Sequence, residues 1–81
     1  AFHDFTFTPG VSVVLSCRTQ EEIDYYWEQL SAIPEVERCG WCVDRWGISW
    51  QVVPHNIAEL MTDKAAREKI LLMGKIDLSQ L

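Results

Sequence analysis

The chain has 81 residues, room for one small domain, and a domain of that size hides only about 60% of its unfolded surface. Apolar residues make up 48% and charged residues 23%, as in globular chains, and no apolar run reaches the ~18 residues of a membrane span. A net charge of −5, with only seven scattered bases (Arg18, Arg38, Arg45, Lys64, Arg67, Lys69, Lys75), argues against nucleic acid and against an anionic membrane surface as partners.

The first ten residues predict a short leading strand. Phe5 and Phe7 alternate with Thr6 and Thr8, and Pro9-Gly10 breaks the run. The unit 11–53 then reads as strand, helix and hairpin. In "VSVVLSC" Val11, Val13, Leu15 and Cys17 point to one face, and Ser12, Val14 and Ser16 to the other. In "TQEEIDYYWEQLSAIP", Thr19 and Glu22 have the spacing of a capping box. Ile23, Tyr26, Trp27 and Leu30 form the stripe of a buried helix face, and Pro34 is a stop.

"CGWCV", a turn at "DRWG" and "ISWQVV" predict a β-hairpin, with a further strand conceivable within 35–41. Ile48, Trp50 and Val52 share one face of the second arm; Ser49, Gln51 and Val53 share the other. Residues 54–81 read as a helical tail. "NIAEL" is a helical turn, Thr62 or Asp63 caps a helix through "KAAREKILLM", Gly74 is a stop, and Asp77 caps a last helix that barely begins. Ala66, Ile70 and Met73 fall on one side of the second helix.

The sheet therefore has two unlike faces. One carries large aliphatics and Trp50 and suits the helix. The other carries Ser12, Val14, Ser16, Ser49, Gln51 and Val53, small and semi-polar, as expected of a cleft or a partner surface.

The Cys39-x-x-Cys42 pair suggests a redox or metal motif, but no helix follows Cys42, and a helix N-terminus is what activates such a thiol. A zinc site would have only Cys17, His3 and His55 to complete it, so two small strand residues are the simpler reading. His3 and His55 read as half-exposed surface residues. Asp44, before the turn, reads as bonding its own backbone rather than as a catalytic carboxylate. Trp46, in the turn, is the tryptophan expected to be exposed or to meet a partner. Three cysteines, an odd number, form no disulfide framework. Ala1-Phe2-His3-Asp4 does not begin an export signal, and a cytoplasmic location is expected.

"FTFTPGVSVVLSCRTQEEIDYYWEQLS" and "CGWCVDRWGISWQVVP" resemble the C-terminal half of PhnB-like proteins of the vicinal oxygen chelate superfamily. That superfamily includes glyoxalase I, bleomycin-resistance proteins and extradiol dioxygenases. The PhnB-like branch carries the name 3-demethylubiquinone-9 3-methyltransferase. The resemblance covers roughly residues 5 to 80, including the tail "MGKIDLSQL". It implies an α+β fold: a single βαβββ module, glyoxalase/bleomycin-resistance-like, with C-terminal helices. Two such modules normally face each other across a cleft. A second module, either an absent N-terminal half or another copy in a homodimer, is therefore the implied partner.

The resemblance also implies a small-molecule ligand. It places the superfamily's metal-ligand positions of this module on Ser12 and Gln51. A hydroxyl and an amide hold a divalent ion far less well than imidazole and carboxylate, so no resident cofactor is expected, with a divalent metal as the disfavoured alternative. The sequence leaves open whether the chain is an enzyme. The readings are a small-molecule cleft, a metal-dependent lyase, isomerase or dioxygenase, and a non-catalytic interaction fragment. Methyl transfer finds no glycine-rich loop to support it.

Overall fold

The computed structural model describes residues 12–81; the leading strand, Val11 and His3 lie outside the described residues. Three aliphatic residues open the first described strand, β1 (Val13–Cys17), which gives way to Arg18-Thr19 and helix α1 (Gln20–Leu30). The expected cap forms: the Thr19 hydroxyl accepts from the Glu22 N–H at 3.1 Å. The Glu22 carboxylate reaches back one residue further than a simple capping box, accepting from the Arg18 N–H at 2.6 Å.

Ile23 and Trp27 are buried and Leu30 packs beside them. Tyr26 departs from the predicted stripe, being 38% exposed, with its ring edge-on to Tyr25 at 5.1 Å. At 100° per residue it falls on the flank of the Ile23–Trp27–Leu30 stripe, and the three described strands do not cover that flank. The helix also ends before Pro34. Ser31 caps it, its N–H bonded to the Trp27 carbonyl, and Pro34 instead starts a 3₁₀ turn, Pro34–Val36.

Strands β2 (Trp41–Val43) and β3 (Ser49–Pro54) form the predicted hairpin, and the sheet order is β1-β3-β2. β1 runs parallel to β3, with Val14 beside Gln51 and Ser16 beside Val53. β2 runs antiparallel, with Trp41 beside Gln51 and Val43 beside Ser49. The connection at Asp44–Gly47 closes with Gly47 at φ +86, as that turn requires. The stretch 35–41 holds no further strand among the described residues. It reduces to one bridge between Arg38 and Trp41 around a turn whose central residues, Cys39 (φ +50) and Gly40 (φ +87), are both left-handed. Two consecutive positive φ values define a type I′ hairpin turn. The Cys-x-x-Cys is therefore a turn residue followed by a strand residue.

Among the described residues, two apolar clusters hold the fold together. The first lies between α1 and the sheet and contains Cys17, Ile23, Trp27, Cys42 and Val52, with Leu15 and Trp50 packed against it. Full burial of residues such as Ile23 and Val52 contributes ~1.5–3 kcal/mol each. Trp50 faces the helix, as its parity in the strand predicts.

The second cluster joins Val53 to Ile70 and Ile76 of the tail. α2 (Ile57–Leu60) and α3 (Lys64–Leu71) follow β3, and Asp63, not Thr62, caps α3 by accepting from Ala65 and Ala66. Ala66 and Ile70 are buried and Met73 half-buried, as their spacing predicts. Asp77 caps a 3₁₀ turn, Leu78–Gln80.

The tail is tied to the sheet through polar bonds as well. Cys39 and Gly40 donate their N–H groups to the carbonyls of Met73 (2.6 Å) and Gly74 (2.8 Å). The Gln20 side chain bonds both the Ile76 carbonyl and the Leu78 N–H. No described helix is long and apolar enough to cross a membrane.

Candidate functional site

The sheet face turned away from α1 carries the six residues singled out for a cleft, and the structure divides them. Ser12 and Gln51 meet: the Gln51 Nε2 donates to the Ser12 Oγ at 2.9 Å. Val14, the register neighbour of Gln51, is 56% exposed, and Ser16 is exposed as well. Ser49 is buried beside Val43, while Val53 is buried under Ile70 and Ile76, so the tail closes that end of the face.

Trp41 and Val43 lie on the same face, opposite Gln51 and Ser49. They were not singled out from the sequence. Once β2 is set antiparallel around the Asp44–Gly47 turn, strand alternation alone places them there, so the signal was present in the register. A row Val14–Gln51–Trp41 thus crosses all three strands. On its β2 side the row opens into a groove of about 540 Å³. Trp41, Val43 and Ser49 line it from the sheet; Val36, Arg38 and Cys39 line it from the preceding loop. The result is a largely apolar hollow, with one base and the acid Glu35 at its margin.

The other sequence candidates resolve differently. Asp44 is 4% exposed and both its oxygens are engaged: Oδ1 accepts from the N–H groups of Trp46 and Ile48, and Oδ2 from the Trp50 indole at 2.8 Å. Burial pushes this carboxyl up, but the bonds from Trp50, Ile48, Trp46 and Gly47 together outweigh it, and its pKa lies below the ordinary value. Asp44 is therefore an ionised, buried brace for the hairpin, with both carboxylate oxygens engaged in it.

Cys42 is 1% exposed; burial, with Glu37 and Asp44 nearby, pushes its thiol up to about 11. Burial and Glu22 raise Cys17 too. Neither supplies a thiolate at neutral pH. All three cysteines are free. Trp46 is 67% exposed, its ring under the Arg45 guanidinium at 4.3 Å, and His55 is exposed beyond β3.

Among the described residues, no group of three or more His, Cys, Asp or Glu side chains could hold a metal ion. The implied ligand positions contribute a hydroxyl and a carboxamide already bonded to each other. That donor set does not fit a divalent cation, which takes imidazole, carboxylate or several oxygens.

Comparison with curated proteins returns no match. The model of the 3-demethylubiquinone-9 3-methyltransferase family matches residues 1–53, up to the penultimate residue of β3 and including both Ser12 and Gln51. With more than half of its length matched and a small α+β fold with a mixed sheet among the described residues, the chain belongs to the 3-demethylubiquinone-9 3-methyltransferase family, the PhnB-like proteins.

Proposed function

We propose that this chain is a PhnB-like module of the vicinal oxygen chelate type whose α1-distal sheet face is one wall of a small-molecule cleft. The observation that carries the reading is the row Val14–Gln51–Trp41 opening into the groove at Trp41 and Val43. A partly exposed row of two apolar residues flanking a half-buried amide suits a ligand wall better than a solvated surface.

The wall formed by the three described strands does not by itself enclose a ligand, so a second module closes it. A second copy is the simplest source, because two-fold pairing of identical chains is the commonest assembly. Three free thiols suit a reducing compartment, consistent with a cytoplasmic site of action.

Methyl transfer, which the family's name states, finds no support in the chain's architecture. The β1–α1 connection is Arg18-Thr19, without the glycines that let a nucleotide-like cofactor approach the backbone. Metal-dependent lyase, isomerase or dioxygenase chemistry meets the donor set already described.

Sedimentation equilibrium tests the closure. The wild type should sediment as a dimer and Val14→Glu should shift it towards monomer. A wild type that stays monomeric at high concentration removes the second copy as the closing wall.

A further inference from the structure

We infer that the Ser12–Gln51 pair selects the cleft's ligand through uncharged hydrogen bonds, so that the ligand is a flat, neutral molecule carrying a carbonyl or hydroxyl group, not a metal-chelated acid. The inference rests on the cleft reading above and adds the chemistry of what the cleft accepts.

The pair's geometry fixes what it can offer. One Gln51 N–H is spent on the Ser12 oxygen at 2.9 Å. That leaves the second amide N–H, the amide carbonyl and the Ser12 hydroxyl proton, an uncharged set of donors and an acceptor. Among the described residues no other side chain bonds either group, and both are half-buried. A ketone, phenol or alcohol can pair with such a set in full.

An anion cannot. No cationic side chain stands in the row Val14–Gln51–Trp41, and the base at the groove's margin, Arg38, shares that margin with Glu35. A carboxylate drawn into a half-buried apolar setting without a countercharge loses more hydration than neutral donors return. A metal would normally supply that charge, but the neutral pair does not hold one.

Trp41 defines the shape. It is Gln51's register neighbour on the same face and lines the groove. Its indole lines the groove on the face that also carries the polar pair, and an aromatic lining favours aromatic or conjugated ligands.

The test uses two probes of one ring system, naphthol and naphthoate, titrated calorimetrically into the intact chain at near-neutral pH, with and without Mn²⁺. Naphthol should bind at least about tenfold more tightly than naphthoate, and Mn²⁺ should change neither affinity. Gln51→Leu keeps the volume and removes the hydrogen bonds; it should weaken naphthol about five- to tenfold and leave naphthoate unchanged. Ser12→Ala should weaken naphthol in the same direction, and circular dichroism checks that both variants fold.

Equal or tighter binding of naphthoate, a Mn²⁺ requirement, or folded Gln51→Leu and Ser12→Ala variants that bind naphthol as well as wild type overturns the inference while leaving the cleft in place. Failure of both probes to bind removes the cleft reading itself, and the inference with it.

Discussion

Gly40 combines a left-handed backbone with close packing, and Gly40→Ala measures what that combination demands. Its φ of +87 is left-handed, and an added Cβ would lie 3.0 Å from Ile76 Cδ1, 3.1 Å from the Val52 carbonyl oxygen and 3.2 Å from Val53 Cγ1. The left-handed backbone costs an L-residue ~1–2 kcal/mol. Forcing a methyl into that packing adds ~1–3 kcal/mol, because the Val52 oxygen is backbone of the central strand and cannot turn aside as a flexible side chain would. The sum, ~2–5 kcal/mol, is a large share of the ~4–12 kcal/mol expected for a domain of this size at ~0.05–0.15 kcal/mol per residue.

Urea unfolding followed by tryptophan fluorescence reads it directly as a fall in the midpoint at constant slope. The nearest clash also has a specific remedy. Ile76→Val deletes the Cδ1 that the new methyl meets, at a cost of ~0.5–1.5 kcal/mol on its own. In the Gly40→Ala background that cost should vanish, a coupling of ~1 kcal/mol. A Gly40→Ala loss below ~1 kcal/mol, or strictly additive behaviour of the pair, would refute the reasoning, because the turn would not then be wedged against the tail.

Three further outcomes follow from the same geometry. Asp44→Asn turns an amide N–H₂ towards donors that need acceptors and should cost ~1–3 kcal/mol by urea titration near neutral pH. The Asp44 pKa is lowered in the fold, so its contribution to stability is complete above the unfolded carboxyl value of ~3.9 and is lost as pH falls through the lower folded value; Asp44→Asn should flatten that part of the acid limb. With a thiol-specific chromogenic reagent, only half-buried Cys39 should react in the native protein, with buried Cys17 and Cys42 joining in denaturant; rapid reaction of Cys42, or a Cys39–Cys42 disulfide under mild oxidation, contradicts the inert assignment.

The helix, its cap and the division of the sheet into two faces were legible because each depends on local spacing. Thr19 and Glu22 meet, Ile23, Trp27 and Trp50 turn inward, and Asp44 braces its own turn, all from residues a few places apart. Tyr26 misled because periodicity gives a direction around the helix but not the width of the sheet beneath it.

The stretch 35–41 was harder. Its left-handed Cys39 is an unusual choice where Asn or Gly is common, and the turn is held by the Met73 and Gly74 carbonyls, more than thirty residues away. That Ser12 and Gln51 share a face was legible through strand parity and the family's ligand positions; their hydrogen bond to each other was not. The groove at Trp41 was not, because it exists only when β2, β3 and the loop at 35–39 are placed together. The burial of Val53 by Ile70 and Ile76 is likewise a tertiary fact without a local signal.

The central claim is that ligand meets the α1-distal face along Val14, Gln51 and Trp41. Titrating naphthol into isotope-labelled protein while recording amide correlation spectra tests it most directly. Shifts should concentrate at Val14, Trp41, Val43, Gln51 and the Gln51 side-chain amide, with α1 silent. Shifts confined to Tyr25 and Tyr26 on the outer face of α1, or to Trp46 at the hairpin tip, would contradict it.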